Sequence, residues 1–169
     1  LHFAGHNVDL LERGLRRLAE TMGLSDDALC SRLGDRSANT ELWQRAIEFF
    51  TVGETYLFRH PEQLMLLWQR LIPERLATGQ RHLRAWSAGC ATGEEAYSLA
   101  MVLRHAAPQS EIYVLATDVS PASIATAERG KYGTNSLREP IPPRLASAYL
   151  HPTTDGGVEV SQEIRSLIE

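Results

Sequence analysis

Between residues 83 and 118 the chain spaces a glycine-containing loop and three acids so that they could hold a small molecule. The loop reads Gly89-Cys90-Ala91-Thr92-Gly93, two carboxylates follow it directly at Glu94 and Glu95, and a third stands at Asp118. Residues 83–88 read as a strand, partly apolar on both faces as central parallel strands are. Ala96, Leu99, Ala100 and Leu103 then repeat at helical spacing up to Pro108, and residues 112–116 form a second strand ending at Thr117-Asp118. Thr92 and Glu95 have the Thr-x-x-Glu spacing of a capping box at the start of the intervening helix. Strand, helix and strand in this order make a right-handed crossover and a parallel sheet.

Three ligand chemistries can be compared against this loop. A dinucleotide needs backbone amides close to its pyrophosphate, hence a Gly-x-Gly-x-x-Gly run; only Gly89 and Gly93 stand here. A nucleoside triphosphate loop needs Gly-Lys-Ser/Thr, and no lysine follows Gly93. Glu94 and Glu95 would also repel phosphate at the helix N-terminus that ordinarily attracts it. S-adenosyl-L-methionine carries an ammonium and a sulfonium and no phosphate, so carboxylates at the loop suit it, and Asp118 suits its ribose hydroxyls. On these grounds methyl transfer is favoured over hydride or phosphoryl transfer. Two plainer roles stay open: a helix-dipole partner for Glu94, and turn capping for Asp118.

The elements that must position this stretch begin upstream. Residues 7–22 predict a helix, capped by Asn7 or Asp9, with Leu11, Leu15, Leu18 and Met22 on one stripe. Arg13, Arg16 and Arg17 lie off the stripe, either as a solvated face or as a basic surface for an acidic partner. Gly23 stops the helix, Ser25-Asp26-Asp27 caps a second through Leu29 and Leu33, residues 34–40 form a polar loop, and residues 41–50 make a third helix. Residues 51–61, Thr-Val-Gly-Glu-Thr-Tyr-Leu-Phe-Arg-His-Pro, are dense in aromatics. Arg59 within them reads on composition as a solvated or ion-paired residue. Pro61 opens a helix to about Ala77. Beyond Asp118, Ser120-Pro121 starts a helix that Gly130 ends. Residues 131–138 read as loop, 144–150 as a short helix, 155–157 as a turn and 158–160 as a short strand.

Composition narrows the class. The chain has 169 residues, 43% of them hydrophobic, so a core can form. Its 17 basic and 21 acidic residues argue against a protein that coats nucleic acid. Two distant cysteines, Cys30 and Cys90, make neither a metal spacing nor a disulfide framework, and a reducing cytosol is the default, so a cytoplasmic location is expected. No apolar run is long enough to be inserted in a membrane.

Three stretches in order carry a family resemblance: Thr51-Val-Gly-Glu-Thr-Tyr-Leu-Phe-Arg-His-Pro-Glu-Gln, Trp86-Ser-Ala-Gly-Cys-Ala-Thr-Gly-Glu-Glu-Ala-Tyr-Ser-Leu-Ala-Met, and Ala116-Thr-Asp-Val-Ser. Together they resemble the CheR family of chemotaxis receptor methyltransferases, over about residue 11 to the end. Residues 129–138 look most like the branch that serves chemosensory-like pathways and often carries tetratricopeptide repeats. The resemblance implies an α/β fold: a helical domain at 1–50, a linker segment and helix at 51–82, and at 83–169 the first part of a Rossmann-like methyltransferase domain, cut at the start of a small antiparallel β-subdomain. It implies S-adenosyl-L-methionine as cofactor, with Glu95 on the methionine ammonium, Asp118 on the ribose, and Thr55 and Arg59 reaching cofactor and reacting carboxylate. It implies helices of methyl-accepting chemotaxis receptors as partners, docked by Arg13, Arg16 and Arg17. Gly53, Leu57, His60 and Ala96 stand where the family more often has Asn, Phe, Asp and Pro. Relatives continue through strands that close the adenine pocket, so this chain is expected to be about the first half of the enzyme, inactive alone. Two parallel strands with an open edge lead to an expectation of self-association. The alternative from another class is a non-catalytic relative that docks a receptor or signalling partner through its first helix.

Overall fold

A computed structural model describes residues 8–35, 40–51 and 53–169. Asn7, the centre of the 34–40 loop and Val52 lie outside the described residues. The chain divides into two compact units, Leu1–Val52 and Gly53–Glu169.

The first unit holds α1 (Val8–Met22), α2 (Asp26–Gly34) and α3 (Thr40–Phe50). Leu18 and Ala19 of α1, Leu29 of α2, and Leu42 and Ala46 of α3 are buried together, with Leu15, Met22, Leu24 and Leu33 packed around them. The predicted stripe on α1 is therefore its core face. Gly23 turns the chain at φ +64, which a β-carbon would disfavour, and the Leu24 N–H closes back on the Ala19 carbonyl at 2.9 Å. Ser25 caps α2 as expected, its hydroxyl accepting from the Ala28 N–H at 3.2 Å.

In the second unit, α4 (Pro61–Leu66) and α5 (Ile72–Ala77) are joined by a π turn over Leu67–Leu71. The sequence reads as one helix here, and Pro73 explains the difference. Proline has no N–H to give the carbonyl four residues back, and just ahead of it the ladder slips to the wider spacing, Ile72 N–H to Leu67 carbonyl. Then come β1 (His82–Ala88), α6 (Glu94–Ala106), β2 (Glu111–Thr117) and α7 (Pro121–Arg129). β1 and β2 pair in parallel from His82↔Glu111 to Ala88↔Thr117.

Two expectations about this sheet change. β1 is not apolar on both faces: Leu83 and Ser87 are buried, whereas Arg84 is exposed and Trp86 is 65% exposed. The described helices thus cover one face only. The expected open edge, second, is not that of β2. The Val114 N–H donates to the Leu167 carbonyl at 2.9 Å and the Ala116 N–H to the Glu169 carbonyl at 2.7 Å, so the last residues run parallel beside β2. Among the described residues, the unpaired edge of this sheet is that of β1.

Residues 131–138, expected as loop, hold β3 (Lys131–Tyr132) and a 3-10 turn (Thr134–Leu137). With β4 (Leu150–Pro152) and β5 (Val158–Val160), β3 forms an antiparallel sheet in the order β3-β5-β4. α8 (Pro143–Tyr149) precedes β4, and α9 (Gln162–Arg165) leads into the segment beside β2. β3 escapes the sequence reading because it is two residues long and its partner lies in the distant β5. The core of this unit runs from Leu57 and Phe58 through Met101 and Val114 to Leu145 and Ile164.

Candidate functional site

The loop after β1 is built on backbone that few side chains adopt. Gly89 (φ +76) and Gly93 (φ +95) lie in the left-handed region, and so does Ala91 (φ +47). Strain of this kind persists where the surroundings over-determine it, and here the end of β2 does so. The N–H groups of Gly89 and Cys90 both donate to the Thr117 carbonyl, at 2.8 and 2.9 Å. The Ala91 N–H donates to Asp118 Oδ2 at 2.9 Å, while Asp118 Oδ1 takes the Ser120 N–H at 2.8 Å. Asp118 therefore does cap a turn, and it also ties the loop to the second strand. Each of its oxygens keeps one further lone pair for a ligand hydroxyl.

The two glutamates after the loop differ sharply. α6 begins at Glu94 with Gly93 as its cap residue, and Thr92 makes no cap hydrogen bond, so the expected Thr92–Glu95 capping box does not form. The Thr92 hydroxyl instead donates to Glu94 Oε2 at 2.6 Å, and the Ser136 hydroxyl to Glu94 Oε1 at 2.8 Å. Glu94 is 3% exposed and locks the 3-10 turn onto the start of α6. Its role exceeds that of a dipole partner, and the signal was hidden because Ser136 is 42 residues away. Glu95 is exposed, with the buried Ser87 hydroxyl donating to its Oε1 at 2.6 Å.

Opposite Glu95 lies the aromatic-rich segment 53–60. Phe58 (φ +59) and His60 (φ +58) again take left-handed backbone. The Leu57 N–H donates to the Ser136 carbonyl and the Phe58 N–H to the Ser98 hydroxyl, both at 2.9 Å, and Ser98 passes its own proton to the Glu94 carbonyl at 2.7 Å. Leu57 and Phe58 are buried, which turns Arg59 and His60 outward. Arg59, His60, Gln63, Leu64 and Leu67 then line a cavity of about 230 Å³ together with Glu95, Ser98 and Leu99 of α6. Arg59 and Glu95 are thus brought together. The Arg59 guanidinium also donates to the Glu54 carbonyl. Thr55 is half-buried on the same segment but is not part of this cavity wall; Asp118 reaches the site through Ala91.

Arg13 and Arg16 lie on the first unit, around a hollow they share with Asp9 and Glu12. Arg16 Nε is 3.6 Å from Asp26, Arg13 donates to the Asp9 carbonyl, and Arg17 is exposed. That face mixes both signs of charge, which the arginine spacing alone does not reveal.

The donor set fits a cationic cofactor without phosphate. No basic residue stands between Trp86 and Leu99, and Glu95 presents an exposed carboxylate at the N-terminal turn of α6. A cluster of three or more potential metal ligands is absent among the described residues.

Burial, and secondarily the nearby Asp118, raise the Cys90 thiol above its ordinary pKa. Cys90 is buried and Cys30 exposed. With a thiol reagent near pH 8, Cys30 is therefore expected to react at the rate of a free thiol and Cys90 only on unfolding. Two equally fast thiols in the folded protein would contradict the packing of the loop.

Comparison with known proteins gives the family. Residues 53–169 match the family described as CheR methyltransferase, SAM binding domain. The chain is 29% identical over 168 residues to chemotaxis protein methyltransferase 1 of Pseudomonas aeruginosa, covering 95% of this chain and 61% of the relative. It is 40% identical over 133 residues to the probable biofilm formation methyltransferase WspC of Pseudomonas putida, covering 76% and 30%. It is 27% identical over 135 residues to a chemotaxis protein methyltransferase of Vibrio anguillarum, covering 77% and 49%. The chain thus spans from under a third to about three fifths of these relatives. The loop, the carboxylates and the matched span together establish that the chain belongs to the CheR methyltransferase family, through its domain for S-adenosylmethionine.

Proposed function

We propose that the protein takes part in S-adenosylmethionine-dependent O-methylation of glutamate side chains on chemoreceptor helices, and that residues 83–169 are the first part of a Rossmann-like methyltransferase domain. The observation that carries this reading is the meeting of Arg59 and Glu95 in one cavity, beside a loop tied to Asp118.

The cofactor supplies an electrophilic methyl group, whose transfer to a carboxylate oxygen makes an ester and leaves a neutral thioether. An acceptor glutamate is already ionised near neutral pH, so the protein needs no strong general base. Its residues have positioning and electrostatic work to do. Glu95 holds the methionine ammonium by charge. Asp118 accepts from the ribose hydroxyls with the lone pairs its backbone contacts leave over. Arg59 orients the acceptor carboxylate, and the half-buried Thr55 steadies the cofactor from the same segment. Arg13, Arg16 and Arg17 of the first unit meet the acidic face of the receptor helix, with Arg16 exchanging Asp26 for a receptor acid. The domain works on the cytoplasmic side. Self-association of the chain runs through the edge of β1, which is unpaired among the described residues, because the edge of β2 is already paired.

The test is transfer of a labelled methyl group to an acidic receptor helix by the natural polypeptide that carries these residues. Label released as methanol by mild base identifies a glutamyl ester. Cofactor binding with no label transferred to any receptor would leave only a docking role.

A further inference from the structure

Arg59 is not the only guanidinium at the aromatic segment. Arg138 follows the 3-10 turn, its guanidinium carbon 4.5 Å from the centroid of the Tyr56 ring; that of Arg59 is 5.7 Å from the same centroid. Two cations share one aromatic ring. Glu54 Oε1 lies 3.2 Å from Arg138 Nη1, while Arg59 donates to the Glu54 backbone carbonyl and shares its cavity with Glu95. Arg138 and Glu54 remain about half exposed, so the pair can open to solvent without unpacking the core. The frame beneath is rigid, because Leu57 is hydrogen-bonded to Ser136, and Ser136 to the buried Glu94. An exposed ion pair is worth little in stability, and a planar guanidinium stacked on a ring is suited to take a carboxylate through two parallel hydrogen bonds.

We propose that Arg138 is the second arginine that binds the acceptor carboxylate, and that Glu54 occupies it until the acceptor arrives. This rests on the methyltransferase reading above and adds to it a binding residue and an internal competitor. The acceptor carboxylate displaces Glu54 from Arg138, enters between Arg138 and Arg59 over Tyr56, and is left facing the cavity that Arg59 shares with Glu95.

The two partners of one ion pair then have opposite effects, which a purely structural pair cannot have. In the natural polypeptide, R138Q is expected to raise KM for an acidic receptor helix about tenfold, with cofactor affinity unchanged and R138K intermediate. E54Q is expected to lower that KM about threefold, because the competitor is gone. If both variants shift KM in the same direction, or neither shifts it, Arg138 only braces the segment and the proposal is overturned. The functional reading would stand in that case, since the unaltered protein still transfers methyl; absence of transfer by the unaltered protein removes that reading itself.

Discussion

Replacing Gly93 with alanine is expected to destabilise the second unit by about 2–5 kcal/mol and to abolish cofactor binding. Two terms add. Gly93 lies at φ +95, where a β-carbon costs roughly 1–2 kcal/mol. That carbon would also stand 2.7 Å from Ala127 Cβ and 3.0 Å from the Tyr132 hydroxyl, and overpacking of this kind costs roughly 1–3 kcal/mol. α7 cannot retreat easily, because the Ala127 carbonyl accepts from the Tyr97 hydroxyl at 2.8 Å. Gly89 provides the control. It too has positive φ, at +76, but an added β-carbon meets nothing within 4 Å. Gly89→Ala should cost only the backbone term. The difference between the two variants in urea unfolding isolates the approach of α7 to the loop, and adding Ala127→Gly to Gly93→Ala should recover part of it. Equal losses for Gly93→Ala and Gly89→Ala would mean that the helix does not pack against the loop as described.

The second large effect separates two adjacent glutamates. Glu95→Gln is expected to weaken S-adenosylmethionine binding about 10–100-fold while leaving stability within about 0.5 kcal/mol. Glu95 is exposed, and the Ser87 hydroxyl that donates to it can donate equally to an amide oxygen. What the substitution removes is the negative charge proposed to hold the ammonium. Glu94→Ala is expected to do the reverse. The half-buried Thr92 and Ser136 hydroxyls lose their acceptor, at roughly 1–3 kcal/mol, and binding suffers only as far as the loop loosens. Calorimetric titration and thermal melts of both variants check the pair. Asp118→Ala is a poorer probe than either, because the same carboxylate holds Ala91 and Ser120 in place besides its proposed part in binding the ribose.

The strand, loop and helix from 83 to 106 were legible because their signals are local: apolar runs of the right period, bounded by Gly89, Gly93 and Pro108. The short segment beside β2 was not. Residues 167–169 have no strand pattern of their own, and only the hydrogen bonds from Val114 and Ala116 hold them beside β2. The face of β1 was misjudged for a related reason, since an apolar strand does not say which of its faces has a covering layer, and Trp86 looks as strand-like exposed as buried. At the site, charge and spacing pointed to Glu94, Glu95 and Asp118, and the family resemblance chose Glu95 between the two glutamates. They could not reveal that Glu94 is a buried link to Ser136, nor that Arg138 comes back across 84 residues to pair with Glu54. Arg59 looked like an ordinary surface residue by composition; its place beside Glu95 depends on Leu57 and Phe58 being drawn into the core.

The most direct test of the central claim, a pocket built for a cationic cofactor without phosphate, is a calorimetric titration of the natural polypeptide with S-adenosylmethionine, repeated with Glu95→Gln and in the presence of excess ATP or NAD. The account predicts one site per chain, a loss of affinity of at least about tenfold in Glu95→Gln, and no competition from either phosphate-bearing nucleotide. Binding that ATP or NAD displaces, or that Glu95→Gln leaves unchanged, would contradict it.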